Sequence, residues 1–250
     1  MFNFLKKKEP IIKFYCHPDS VGVIPEPTAA NKCIPHWFKG IKPTIPREYD
    51  EEGKITSAGN QEQPGWTIKR CMPVLDVMSL GYVIPLAGDL GVITNGDCSE
   101  IEISNPRNMK VAEFHSLDQI GGRNAPGYPA KPIKFINQWV VRTRPGWSTL
   151  FLPLINDFNE TRFTCLGGLV DTDTYWKTVN FPAIWHQENF DDFVYAGTPL
   201  VVAIPIERAA IPKEPIITLE TEEERIMMET IHKQQQSRVR VYTDELREKR

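Results

Sequence analysis

The chain has 250 residues, 41% hydrophobic and 24% charged, which fits one folded core and excludes wholesale disorder. Its formal net charge of -3 excludes the bulk basicity that would hold a nucleic-acid backbone, leaving only a local patch for that purpose. No window approaches the roughly 20 consecutive apolar residues of a membrane-spanning helix, so a soluble protein without a membrane partner is expected.

The 21 prolines imply many short strands and long ordered loops, because Pro cannot donate to a sheet ladder and breaks helices. Cys16, Cys33, Cys71, Cys98 and Cys165 are odd in number and widely scattered. That is not a disulfide framework, and reduced thiols in a cytoplasm are expected. The leader Met1-Phe2-Asn3-Phe4-Leu5-Lys6-Lys7-Lys8 lacks an apolar run behind its charges and does not resemble a signal peptide.

In chain order, residues 10–16 read as a first strand ended by His17-Pro18-Asp19. Residues 23–46 carry Pro25, Pro27, Pro35, Pro43 and Pro46 around Cys33-Ile34-Pro35-His36-Trp37-Phe38, and are expected to be an irregular arm packed along the domain or a neighbouring subunit. Cys16, His17, Cys33 and His36 are ligand-type residues whose spacing is not that of a zinc finger or ribbon, and no metal site is assigned to them. Residues 48–65 are polar and Gly-rich and read as a solvated loop; residues 66–71 alternate like a strand; residues 73–78 suit one helical turn opened by Pro73. A strand at residues 81–86 and a hairpin of residues 90–94 and 100–104 about Asn95-Gly96-Asp97 follow. His115 to Arg123 lacks the Lys-Ser/Thr ending of a phosphate loop and reads as an ordinary turn.

Residues 133–137 and 139–143 are predicted strands leading into the central block. There, a Pro145-Gly146 turn precedes a strand at residues 147–152, and runs at residues 166–175 and 196–206 are bounded by Gly, Pro or Asp. Trp139, Trp147, Trp176 and Trp185 are read as packing residues rather than base-stacking ones. Beyond Arg208 the composition shifts to a linker at residues 209–215. The capping box Thr221-Glu222-Glu223-Glu224 then opens a helix over residues 225–236, with a charged tail behind it. The organisation is thus an extended Pro-rich arm with loops at 1–65, a β-rich core at 66–208, and a linker, helix and tail at 209–250. The fold class is mainly β, with a distorted barrel as its core.

Gly168-Leu169-Val170-Asp171-Thr172-Asp173-Thr174-Tyr175 resembles the third signature motif of deoxyuridine triphosphatases. Leu80-Gly81-Tyr82 is similar to the first motif, Gly146-Trp147-Ser148-Thr149-Leu150 stands in the place of the second, and Gly197-Thr198-Pro199-Leu200 in that of the fourth. The chain also resembles an uncharacterised family of tailed phages and some bacteria, which brings no established activity. The first resemblance implies a β-clip core, homo-oligomeric and commonly trimeric, with nucleotide bound between subunits and Mg²⁺ bridging its phosphates. Asp171 would be the base acting on the attacking water, Tyr175 the platform for the sugar, and Gly81, Tyr82, Ser148 and Asp173 the remaining nucleotide contacts.

The chain departs from that pattern at several positions. Val83 stands where the first motif has Asp, no Arg adjoins Ser148, Val202 stands where the fourth motif has Gln, and Thr174 displaces Tyr175 by one residue. Asp-Thr-Asp is also ordinary turn chemistry, with short side chains bonding nearby backbone. The expectation is therefore a non-catalytic, phage-type β-clip protein without a cofactor, acting in assembly or partner binding in the host cytoplasm or the virion. Its interaction elements would be the amino-terminal arm and the carboxy-terminal helix. The alternatives are a nucleotide pyrophosphatase or deaminase relative using Asp171, and a nucleotide-binding regulator or scavenger without turnover.

Overall fold

The structure, a computed structural model, describes residues 10–45, 51–52, 65–238 and 240–248. The expected solvated loop at 48–65 lies almost wholly outside the described residues. Two compact units are present, Met1–Ala210 and Ile211–Arg250.

The first unit is mainly β. Its strands in chain order are β1 (Ile12–Tyr15), β2 (Thr28–Ala29), β3 (Tyr82–Pro85), β4 (Leu90–Thr94), β5 (Ile101–Ser104), β6 (Ala112–Phe114) and β7 (Ile133–Phe135). They continue as β8 (Val140–Thr143), β9 (Trp147–Leu152), β10 (Phe163–Cys165), β11 (Gly168–Val170), β12 (Phe181–Trp185), β13 (Asp191–Val194) and β14 (Pro199–Glu207). All pairings are antiparallel, in sheets ordered β11-β9-β14-β3-β2, β10-β12-β7-β6, β13-β4-β5 and β1-β8.

The central strands are buried on both faces and do not alternate. In β9, Ser148, Thr149 and Phe151 are buried, and β14 buries Leu200 to Ala203 from both faces, as expected of a central strand. Phe135, Phe151, Phe163, Phe181 and Trp185 meet in the middle, with ring centroids 4.8 Å apart for Phe135 and Phe163 and 5.5 Å for Phe151 and Phe181. Burying each such ring contributes about 1.5–3 kcal/mol, so this aromatic centre is a main source of cohesion between the sheets.

Two expectations change. Residues 66–71 form a 3-10 turn at Ile68–Arg70 instead of a strand. Trp66 makes a single bridge to Thr44, and Arg70 lies 4.3 Å over its ring; alternation without a ladder partner does not make a strand. The Pro-rich segment is less irregular than its composition implies, because it holds β2 and a short helix α1 (His36–Gly40). Pro35 stands at the N-cap of α1, where its missing N–H breaks no helical bond.

The hairpin β4-β5 forms with Thr94 opposite Ile101. Its positive φ of 57° falls on Cys98, while Asn95 and Asp97 contribute side-chain acceptors to Glu100 N–H and Ser99 N–H. Helix α2 (Met72–Met78) has Pro73 in its first turn as expected. Strands β7 and β8, neighbours in sequence, part into different sheets at buried Asn137, whose side chain accepts from Trp139 N–H and donates to Trp139 C=O.

The second unit holds α3 (Glu222–Ser237), opened by the reciprocal capping box of Thr221 and Glu224, and a short π-helical turn at Tyr242–Leu246. Among the described residues, no helix is long and apolar enough to cross a membrane.

Candidate functional site

The Asp171 turn follows the edge strand β11, which pairs with β9 through Val170 and Thr149. The carbonyl of Asp171 accepts from the N–H groups of Thr174 (3.1 Å) and Tyr175 (3.0 Å) and so closes the turn. Thr172, in the middle, is fully buried. Its hydroxyl lies 2.8 Å from Thr143 Oγ1 and 2.7 Å from Thr149 Oγ1, and Thr143 Oγ1 donates to the Trp147 carbonyl at 2.8 Å. One proton per hydroxyl then fixes the order of donation: Thr149 to Thr172, Thr172 to Thr143, Thr143 to the carbonyl. Strands β8 and β9 and the turn after β11 are joined through this chain.

The flanking carboxylates face different surroundings. Asp173 has only 6% of its side chain exposed and is held bidentately by Arg208, Nη1 to Oδ1 at 2.9 Å and Nη2 to Oδ2 at 2.5 Å. Gly146 N–H donates to the same Oδ2 at 2.8 Å. The hydrogen bond from Arg208, helped by the Gly146 N–H, holds the Asp173 carboxyl at about 2, well below its ordinary 3.8. Asp171 has 61% of its side chain exposed, and its Oδ1 accepts from Ser148 Oγ at 2.6 Å, with Arg208 Nη1 at 3.5 Å.

Arg208 is anchored in turn. Its N–H donates to Gly146 C=O at 3.0 Å, and Nη1 reaches Trp147 C=O at 3.1 Å and Ser148 Oγ at 3.2 Å. Arg142 donates from Nη2 to the Asp173 carbonyl, and its guanidinium lies 3.7 Å from the ring centre of Trp176. Arg162, by contrast, is paired with Glu160.

Of the residues singled out in the sequence, Ser148, Asp171 and Asp173 come together around Arg208, and Tyr175 joins them only through its backbone N–H. Gly81 and Tyr82 lie on the other side of β14 and have other contacts. Gly81 has φ +75°, and a Cβ there would meet Ala203 O at 2.3 Å, so glycine at this position serves strand packing. The Tyr82 ring packs edge-on against Phe14 at 5.5 Å. Arg208 entered the sequence reading only as the end of the central block; its signal was its place at the end of the longest apolar run, where a guanidinium must find a counter-charge.

Of the four tryptophans read as packing residues, Trp139 and Trp185 are buried and Trp147 is half-buried, whereas Trp176 is 68% exposed and covers Arg142. Cys16, His17, Cys33 and His36 do not assemble: among the described residues, no three His, Cys, Asp or Glu side chains gather as a metal-ion site.

The arrangement can hold strand ends together, and it leaves one carboxylate, Asp171, reaching solvent. Asp173 stays ionised and paired through the neutral range, so it moves no proton there. With Asp173 occupied by Arg208 and Gly146, the pair does not offer Mg²⁺ two free carboxylates. No family model matches this sequence, and no curated protein matches it either.

Proposed function

We propose that the chain is a non-catalytic, homo-oligomeric protein of the phage type, built on a dUTPase-like β-clip and acting in assembly or partner binding. The observation that carries this reading is the use of the Asp171-Thr172-Asp173 turn within the fold: Thr172 and Asp173 are spent on strand-to-strand bonds, and Arg208 answers Asp173 instead of a phosphate. The same residues that suggest a nucleotide pocket are those a structural clasp between β8, β9, β11 and β14 requires. Binding energy for a triphosphate needs cationic groups free to meet it, and Arg208 and Arg162 are already in bidentate or paired contact with carboxylates.

Pyrophosphate release from a panel of deoxynucleoside triphosphates with Mg²⁺, run beside Asp171→Asn and with calorimetric binding on the same panel, tests the reading. Neither turnover nor binding is expected. Turnover abolished by Asp171→Asn would replace it with a nucleotide pyrophosphatase, a reading favoured by the solvent-facing carboxylate of Asp171 beside Ser148. Binding without turnover would replace it with a nucleotide-binding regulator or scavenger.

A further inference from the structure

Strands β1 and β8 form a two-stranded ribbon, with Ile12 opposite Thr143, Lys13 opposite Arg142 and Tyr15 opposite Val140. Ile12, Val141 and Thr143 are buried, which puts Lys13, Tyr15 and Arg142 on the outer face, because successive side chains of a strand alternate. Arg144 lengthens the ladder by one bond, its N–H donating to Ile11 C=O at 3.2 Å. Over Arg142 lies Trp176, its ring centre 3.7 Å from the guanidinium carbon and 6.5 Å from the ring centre of Tyr15. With the guanidinium on one face of Trp176, an exposure of 68% leaves the other face to solvent, and Tyr15 beside it is 45% exposed.

Cations here outnumber the carboxylates that answer them. Asp173 is held by Arg208, and Asp171 has the same guanidinium 3.5 Å away. Arg142 spends Nη2 on a carbonyl, that of Asp173. Among the described residues no carboxylate pairs with Arg142, Arg144 or the exposed Lys177, which adjoins Trp176 in the chain. Arg142 Nη1 and Arg144 Nε are buried donors with no acceptor, so part of each guanidinium's hydrogen-bonding capacity is unspent. A chain of net charge -3 therefore carries a local basic patch set with exposed aromatic rings.

We infer that this ribbon face binds single-stranded nucleic acid, with bases stacking on Trp176 and Tyr15 and phosphates meeting Arg142, Arg144 and Lys177. The inference rests on the partner-binding reading above and names the partner's class. Aromatic rings interleaved with unanswered cations suit an unpaired strand, since each base offers a ring face and each phosphate a charge. A duplex keeps its base faces in its own stack and offers the rings nothing. Arg142 already holds one face of Trp176, so little further ordering of that ring is needed when a base arrives. A free nucleoside triphosphate brings one base to two rings and lacks the run of contacts along a strand, so the triphosphate panel is not expected to register this face.

Fluorescence anisotropy of short end-labelled oligo-dT and oligo-U probes, titrated with the full chain over a salt series, tests this face. Saturable binding of at least one probe is expected at low salt. Trp176→Ala should weaken it about tenfold, and Trp176→Phe should recover much of the loss, because a ring is needed to stack. Arg144→Gln and Lys177→Gln should each weaken binding and make the slope of log K against log salt shallower by about 0.7, the mark of one lost phosphate contact. Circular dichroism on each variant separates lost binding from lost folding. Absence of binding at low salt, equal affinity for an oligo-dA·oligo-dT duplex of the same length, or an affinity indifferent to Trp176→Ala would each overturn the inference and leave the assembly reading standing. Triphosphate turnover abolished by Asp171→Asn would overturn the non-catalytic reading itself, through an assay that does not involve Trp176.

Discussion

In the turn at residues 171–173, every side chain has a partner within the first unit, whereas at residues 216–219 three apolar side chains stand in water. Both stretches are short, carry Thr, and lie beside acidic residues. What separates them is the supply of complementary groups. The turn sits where β8, β9 and β14 end close together and bring Thr143, Thr149, Ser148 and Arg208 to it; the later segment follows a linker and meets no such convergence. A polar cluster becomes a clasp when strands bring it donors, and an apolar segment that meets no complementary group stays exposed.

The sharpest way to break the clasp is Arg208→Met, which leaves the nearly buried Asp173 carboxylate without its cation. The urea midpoint should fall further than for any other substitution in the cluster. Arg208→Met/Asp173→Leu should recover part of the loss, because the cost lies in the orphaned charge more than in the missing pair. A smaller effect is expected of Thr172→Val, which keeps the shape and removes the central hydroxyl of the chain from Thr149 to Trp147. Leaving a buried partner unsatisfied costs about 1–3 kcal/mol, readable as a loss of unfolding free energy in urea.

Acid should loosen the clasp by linkage. Asp173 titrates at about 2 when folded, against an ordinary 3.8, so the unfolded chain binds more protons between these values. The stabilisation is therefore complete above roughly pH 5 and is lost as the pH falls through 4 towards 2. Glu113, held at about 2 by hydrogen bonds from Lys110 and Lys134, contributes to the same limb. Asp173→Asn should flatten the fall in unfolding midpoint over that window without abolishing it. At the small end, Ile216→Ser/Ile217→Ser should change the stability of the dilute chain by no more than about 0.5 kcal/mol, measured by urea unfolding, since no folded contact is removed. A larger loss would mean that these residues already have a partner within the chain, and the contrast between the two segments would fail.

Much of the β architecture was legible because it rests on local pattern. The runs read at 81–86, 147–152 and 196–206 are apolar or alternating between Gly and Pro, and they became β3, β9 and β14. The capping box at Thr221 likewise announced α3 in four residues. Strand β13 was missed because Asp191-Asp192-Phe193-Val194 is polar and half-exposed, and its place depends on pairing with β4 rather than on its own composition. Residues 66–71 misled in the other direction, alternating without any strand beside them.

The candidate site divides in the same way. The motif resemblance of residues 146–150 and 168–175 picked out Ser148, Asp171 and Asp173. It did not pick out Arg208, which lies 35 residues from Asp173 along the chain. Nor could it tell that Gly81 and Tyr82 face other neighbours. By itself the sequence determined the strands read at 81–86, 147–152 and 196–206, the capping box that opens the terminal helix and which turns are polar, because backbone propensity, side-chain period and capping act within a few residues. Which carboxylate is locked and which reaches solvent, and which tryptophan is exposed, were decided only by tertiary structure. Those properties depend on distances between strand ends, and these are set when the sheets pack and the register of β14 against β9 brings Arg208 to Asp173.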